Sequence, residues 1–404
     1  MIVNIAWRNI WRNPTRSLVI MVSVAIGIWA GAFIASIYWG MGQERFKIAI
    51  ENEIAHIQLH HPEFTKDFTQ APTITNANDV LARITQLQGV RASTIRTIVM
   101  GMLANATGSS GIQINGILPD NEASVSQLKS KLNEGDYFTS KKANGILIGA
   151  KLAKKLKLKL RSKVVLTFQD NEDNLVSSAF WVEGIYQSYN TSLDERNVYV
   201  KMSDIAGLLN LTNEAHEIAV LLQNDSWTET VKNQITAHNP LLKVQDWREI
   251  SPDTALILST MNQASMIFSV IILLALAFGI INTMLMAILE RTKELGVLMA
   301  LGMNRLKLYA MIMTETVFLV LSGAPVGFLL SFGIIKYLSV HGIDLTAVAG
   351  QSMGDFGFSN VIYPDLPFTQ YIQILILVLI TAVISAIFPI IRALRLNPVE
   401  AIRR

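Results

Sequence analysis

Residues 284–302 read MLMAILERTKELGVLMALG, and this stretch decides how the rest of the chain is placed. An apolar run stops at Glu290-Arg291-Thr292-Lys293-Glu294, then resumes half-apolar through Leu295, Val297, Leu298 and Leu301. The order predicts a membrane helix continuing straight into a short charged helix at the membrane surface, with Gly302 as its C-terminal cap. Three more runs are long and apolar enough to cross about 30 Å of hydrocarbon. With the run that enters this stretch, the expected spans are 17–39, 266–289, 308–335 and 371–391.

Composition agrees with a membrane protein that has a large water-exposed part. Of 404 residues, 51% are hydrophobic and only 16% charged, against about 25% charged in soluble domains. Cysteine is absent, so disulfides and thiolate metal sites are excluded.

Charge orients the spans. Arg8, Arg12 and Arg16 precede the first; Arg291, Lys293, Arg305 and Lys307 lie between the second and third; Arg392, Arg395, Arg403 and Arg404 follow the fourth. The segment 336–370 sets one lysine against Asp344, Asp355 and Asp365. The positive-inside rule then places both termini and the segment 290–307 in the cytoplasm. Segments 40–265 and 336–370 fall outside, and 392–404 forms a cytoplasmic tail. Ala30-Gly31-Ala32 resembles a cleavage site, but the apolar run continues through Phe33, Ile37 and Trp39. A retained anchor is expected.

Residues 1–16 predict an amphipathic helix on the inner membrane face. Val3, Ala6, Trp7, Ile10 and Trp11 share one arc at 100° per residue, opposite Asn4, Arg8, Asn9, Arg12 and Arg16. Pro14-Thr15 marks the break before the membrane. In the first span Ser23, Gly27, Gly31 and Ala35 recur every four residues, a stripe that lets another helix approach closely; Gly323 and Gly327 flank Pro325 in the third.

Between the first two spans, acidic and basic residues nearly balance, as on an ordinary soluble surface. Extended stretches are expected at 56–60, 92–102, 111–117, 164–169, 180–185 and 198–200, and helices at 77–87, 122–132, 150–156, 202–209 and 228–238. The expected fold class is therefore an α-helical membrane protein with four transmembrane helices and a large α+β extracytoplasmic domain between helices 1 and 2.

Several candidate chemistries weigh little. No Gly-x-x-x-x-Gly-Lys-Ser/Thr run occurs, so ATP hydrolysis by this chain is not expected. His56, His60 and His61 cluster beside Glu53, but they lack a metalloprotease spacing and read as a solvated strand end. Glu315 lies inside the third span, where a carboxylate is costly; it reads as satisfied by Thr314, Thr316 or a nearby arginine. Asn282 and Thr283 read as interhelical hydrogen-bonding groups.

Several segments resemble one family. The run 284–302, the N-terminal AWRNIWRNPTRS at 6–17, GILIGAKLAKKLKLKLRSKVVLTFQ at 145–169, VQDWREISP at 244–252 and the closing Pro389…Arg392-Ala393…Arg395-Leu396…Pro398…Glu400-Ala401 are similar to FtsX-like permeases. These are the membrane subunits of macrolide-exporter and lipoprotein-releasing ABC transporters, and the chain looks closest to the lipoprotein-releasing branch. Where that family usually has Gly-Asp, this chain has Arg161-Ser162.

The resemblance implies a bacterial inner-membrane permease that is not itself an enzyme and carries no cofactor, ATP-Mg being bound by a partner ATPase dimer. A second permease subunit, identical or a paralogue, would complete it; nucleic acid is not an expected partner. Glu290, Arg291, Thr292, Lys293, Glu294, Leu295, Gly296, Leu298, Ala300 and Gly302 would couple to the ATPase. Phe33, Ile37, Tyr38, Met41, Met261, Met266, Phe268 and Ile272 would line a cargo cavity for lipoprotein or other envelope cargo. Efflux of small amphipathic compounds, or a receptor or scaffold such as a regulator of a cell-wall hydrolase, are the alternatives.

Overall fold

The computed structural model describes residues 2–12, 14–64, 72–139, 144–170, 172, 174–188, 190–346 and 358–394. The tail residues Arg395 to Arg404 and their closing motif lie outside these. Contacts divide the chain into two units, one of Met1–Gln43, Ser259–Asp344 and Val361–Arg404, the other of Glu44–Leu258 and Leu345–Asn360.

The first unit is helical. Four helices are long and apolar enough to cross a membrane: Ser17–Ile54, Pro252–Glu290, Arg305–His341 and Phe368–Leu394. The first helix proper, Pro14–Ile48, opens on proline, which needs no amide partner in a first turn. Its 35 residues and the 39 of the second amount to roughly 50–60 Å of helix, well beyond the bilayer core. Ile20, Val24 and Ile28 of the first helix bury against Leu276, Ile280 and Met284 of the second and Leu319, Val320 and Ala324 of the third.

Close helix packing comes from two glycines of the third helix. A Cβ on Gly323 would lie 2.6 Å from the Met21 carbonyl oxygen, and one on Gly327 2.7 Å from that of Ala25. The first-helix stripe behaves differently: a Cβ on Gly27 would touch Leu276 at 3.3 Å, whereas one on Gly31 meets nothing within 4 Å. Ser23 turns its hydroxyl onto Val19 of its own helix, and Thr283 likewise onto Gly279, so the bond described for Thr283 is not interhelical.

In the second unit, β1 (Ile57–His60), β2 (Ile74–Thr75), β3 (Val90–Asn105), β4 (Gly108–Ile117), β5 (Leu132–Gly135), β6 (Gly145–Gly149), β7 (Lys163–Gln169), β8 (Leu175–Tyr186), β9 (Asn197–Lys201), β10 (Glu214–Ala215), β11 (Glu217–Leu222) and β12 (Lys243–Asp246) follow in order. Strands β3, β4, β9, β6, β8 and β7 pair in a ring, because β7 bonds both β3 and β8. Valine, isoleucine and phenylalanine fill this small barrel, with Phe180, Val182, Val198 and Val200 at its centre. Past its barrel pairings, β3 joins β11, β1 and β12 in an open sheet. Helices Ala77–Thr85 and Thr228–His238 cover that sheet with Val80, Ile84, Val231 and Ile235.

Two expectations are corrected here. The helix expected at 122–132 is Pro119–Val125 only; Ser126 is extended, Leu128 drops into a cluster with Ile117, Phe138 and Leu147, and Leu132 opens β5. Nor do the histidines form a solvated strand end, since His56 and His60 are 5% and 4% exposed. His56 Nδ1 accepts the Leu222 amide at 3.1 Å, and burial, partly offset by Asp225, holds its pKa down near 4. His60 faces Glu217 at 3.3 Å; Arg96 binds Glu217 at 2.8 Å and Glu122 at 2.7 Å. Burial opposes the charge on Arg96, but the two carboxylates outweigh it and raise its pKa.

Candidate coupling site on the helical unit

The second long helix ends at Glu290, and the short helix Thr292–Ala300 begins one residue later. The two are not straight continuations of one another. Arg291, at φ −100° and ψ 14°, leaves helical geometry and forms the joint. The guanidinium reaches the third helix and gives both Glu315 oxygens hydrogen bonds, at 3.1 and 3.3 Å. Glu315 is 3% exposed, so its intramembrane charge is answered by the arginine, as one of the sequence readings anticipates.

The far end of the short helix stops where glycine allows it. Gly302 sits at φ +91°, with Met303 N–H bonding Leu298 O and Gly302 N–H bonding Met299 O. This paired pattern closes a helix most readily when its left-handed residue is glycine. Asn304 then caps the third helix by accepting the Leu306 amide.

The interfacial helix Ile2–Arg12 joins the same site. Ala6 and Ile10 are fully buried, while Val3, Trp7 and Trp11 stay exposed. Trp7 packs edge-on against Phe318 of the third helix, and Ser17 donates to the Ile10 carbonyl across the Pro14 break. Arg12 pairs with Glu294, which Arg291 also approaches at 3.4 Å. The Arg12 hydrogen bond holds the Glu294 carboxyl below its usual range; burial opposes it, and the charges of Arg12 and Arg291 add to the lowering. Asn9, Arg12, Arg291, Lys293 and Glu315 share a cavity of about 510 Å³ with Met284 and Met311.

The structure sorts the sequence-selected coupling residues by direction. Leu295 and Gly296 are buried, and Leu298 packs against the helical core. Glu290, Lys293, Glu294, Ala300 and Gly302 are exposed, and Arg291 and Thr292 half-buried. Apolar contact is offered outward by Val297, 45% exposed, and Leu301, 80% exposed.

Of the cargo-cavity set, Tyr38 and Phe268 stack at 5.7 Å. Phe33 instead stacks on Trp29 and packs with Ala32, Ile335 and Tyr371, towards the third and fourth helices. Met266 is largely exposed; Ile37, Met41, Met261 and Ile272 are half-buried. Among the described residues, no group of three or more histidine, aspartate or glutamate side chains is placed to hold a metal ion.

Sequence reasoning did not find the Arg96–Glu122–Glu217–His60 group. Its signal was available, since Arg96 interrupts the apolar run of β3 and Glu217 stands at the head of the apolar run of β11.

Four spanning helices with a charged helix between the second and third, and an α/β domain inserted between the first and second, define a multi-pass membrane protein. Residues 266–398 match the FtsX-like permease C-terminal family, and residues 17–238 match the MacB-like periplasmic core domain. The second match alone covers more than half of the chain, which belongs to the FtsX/MacB-like family of ABC-transporter permeases.

Among its relatives, the ABC transporter permease YtrF of Bacillus subtilis is 32% identical over 128 residues, 32% of this chain and 29% of that one. The lipoprotein-releasing system transmembrane protein LolC of Xylella fastidiosa is 21% identical over 303 residues, 72% of each chain. The periplasmic region of MacB from Actinobacillus actinomycetemcomitans is a similar structure, with 12% identity and a TM-score of 0.36 over 55% of this chain and 95% of that one.

Proposed function

We propose that this chain is the permease subunit of a lipoprotein-releasing type of ABC system. It works in the bacterial inner membrane as a pair of permease subunits with a separate ATPase dimer. The observation that carries the reading is the short helix Thr292–Ala300, fastened by Arg291 to Glu315 while Val297 and Leu301 face outward. A helix held that firmly moves with the spans beside it. Closure of an ATPase dimer on its exposed side would therefore displace the second and third helices together. Because the first and second helices outrun the bilayer, that displacement reaches the large domain as mechanical work rather than through a channel.

The LolC-like relatives support envelope lipoprotein as cargo. Tyr38, Met41, Met266 and Phe268 offer aromatic and pliable apolar surface suited to acyl chains.

Co-purification tests the coupling. The wild-type chain should bring down an ATPase and stimulate its turnover in mild detergent. Val297→Asp with Leu301→Asp should lose both without loss of yield, since neither residue is in the core. An ATPase that stays bound and stimulated in that variant would refute the docking role. Photo-crosslinkers at Met41 and Met266 test the cargo: they should capture a lipidated protein that leaves on ATP addition. Capture of bulk phospholipid alone, unchanged by ATP, would favour efflux of small amphipathic compounds.

A further inference from the structure

The first long helix does not stop cleanly at Ile48. It runs on into a π-helical turn, Ala49–Ile54, and the Ala55 amide bonds the Ile50 carbonyl five residues back at 3.0 Å. Ala55 closes the turn at φ +60° and ψ −175°, a conformation proper to glycine, and it is buried. Turns of this kind are rare and gather at functional sites. Reversion to ordinary helical bonding would let this one take up a residue's worth of movement, about 1.5 Å.

One ion pair spans the turn. Arg45, a turn before it, forks onto Glu53 within it, Nη1 to Oε1 at 3.2 Å and Nη2 to Oε2 at 3.3 Å. Their side chains are only 6% and 11% exposed. Arg45 Nη2 also donates to Thr254 Oγ1 at 3.1 Å, in the first turn of the second long helix, where Ser251 Oγ bonds the same hydroxyl at 2.9 Å. Glu53 Oε1 in turn accepts Asn190 Nδ2 at 3.1 Å, from the connection between barrel strands β8 and β9. The feet of two helices and the barrel thus meet on one guanidinium–carboxylate pair, all within the second unit.

Stability alone does not call for this pair. Phe46, Trp247, Ala255 and Leu258 already pack around Ile50 and Ala55 at the joint, and apolar side chains in place of a buried pair often hold a fold as well or better. Arg45 Nε is buried with no hydrogen-bond partner among the described residues, a cost that a purely structural contact need not carry. What the fork adds is direction, because two parallel bonds fix an angle that apolar contact leaves free.

We propose that Arg45 is a positioning residue for coupling. Through Glu53 it staples the first helix across the π turn and ties both helix feet to the barrel. Movement is then passed outward instead of being taken up in the turn. The inference rests on the permease function proposed for the chain and adds the side chains that carry motion out of the helices.

Spin labels on cysteines at Leu175 of β8 and Leu256 of the second helix, 76% and 65% exposed in the native chain, report the separation of barrel and helix foot. The labelled chain is placed in nanodiscs with its co-purifying ATPase. With Arg45 and Glu53 intact, the separation should be the same before and during ATP turnover. The double variant Arg45→Met, Glu53→Met refills the joint with apolar volume and should melt no lower than the native pair. Thr254→Val, close to it in shape, cuts only the tie to the second helix. Both variants should turn over ATP at the wild-type rate, while the separation shifts by at least about 1.5 Å once ATP is added. A separation unmoved by ATP in both variants overturns the proposal. So does a shift already present without ATP and accompanied by a lower melting temperature, which would make the pair a strut. A wild-type chain that stimulates no ATPase would instead remove the permease function, and the coupling role with it.

Discussion

Arg291 and Glu315 show how much a single pair can decide at the scale of residues. Glu315 is buried and the Arg291 side chain is only 11% exposed, so each would be costly alone. Glu315→Gln removes the arginine's buried counter-charge and leaves only the exposed Glu294 beside it, and the joint between the second helix and the short helix should loosen. The expected readout is an ATPase that still co-purifies but is stimulated several-fold less; unchanged stimulation would make the pair structural only. In the outer domain, Arg96→Ala strands Glu122 and Glu217 in the core and should cost about 3–5 kcal/mol, read as a lower melting temperature.

His56 adds a pH dependence of known sign. Its pKa is depressed to about 4 in the fold, so the unfolded chain takes up the proton first as pH falls. Stability is therefore lost between about pH 6.5 and pH 4, by roughly 3 kcal/mol. His56→Asn keeps an acceptor for the Leu222 amide without the titration. Thermal melts across that window should flatten in the variant.

Among elements, the third helix is the one to perturb. Gly323→Ala drives a methyl towards the Met21 carbonyl, and it should lower the yield of folded protein. Gly31→Ala, which meets nothing within 4 Å, should be neutral. Equal effects from the two would mean that the first-helix stripe carries the packing after all.

The contrast marks what the sequence makes legible. Small residues every four positions announce a close approach, but not which of two glycine pairs makes it, because that depends on helix rotation. The four spans are readable from apolar length and the short helix from its charges. The direction of Leu295, inward rather than towards a partner, is not, since its neighbours alternate too evenly. The barrel is hidden for another reason. Closure needs β7 to bond β3 on one edge and β8 on the other, and such non-local pairing leaves no mark on the strand itself. Strands β6 and β11 went unread because each is buried along its whole length and shows no apolar–polar alternation.

For the whole molecule, the decisive measurement is topology. Single cysteines at Ser124 and at Lys307 have no native thiol to compete with them. An impermeant thiol reagent should label the first and not the second in intact spheroplasts. Labelling at Lys307 would reverse the charge-based orientation and, with it, the proposed side of ATPase docking.

The contact of Gly323 and Gly327 with Met21 and Ala25 also bears on how the chain is made. Roughly 300 residues separate the two faces, about 15–60 s of bacterial synthesis. Throughout that interval the first helix waits in the bilayer with its mating groove open to lipid, while the entire barrel and sheet are translocated. The interfacial helix waits too, because Trp7 meets Phe318 only when the third helix arrives. The first helix thus finds its mate only when the third arrives, and a ribosome stalled before it would leave the outer domain on an unfinished anchor.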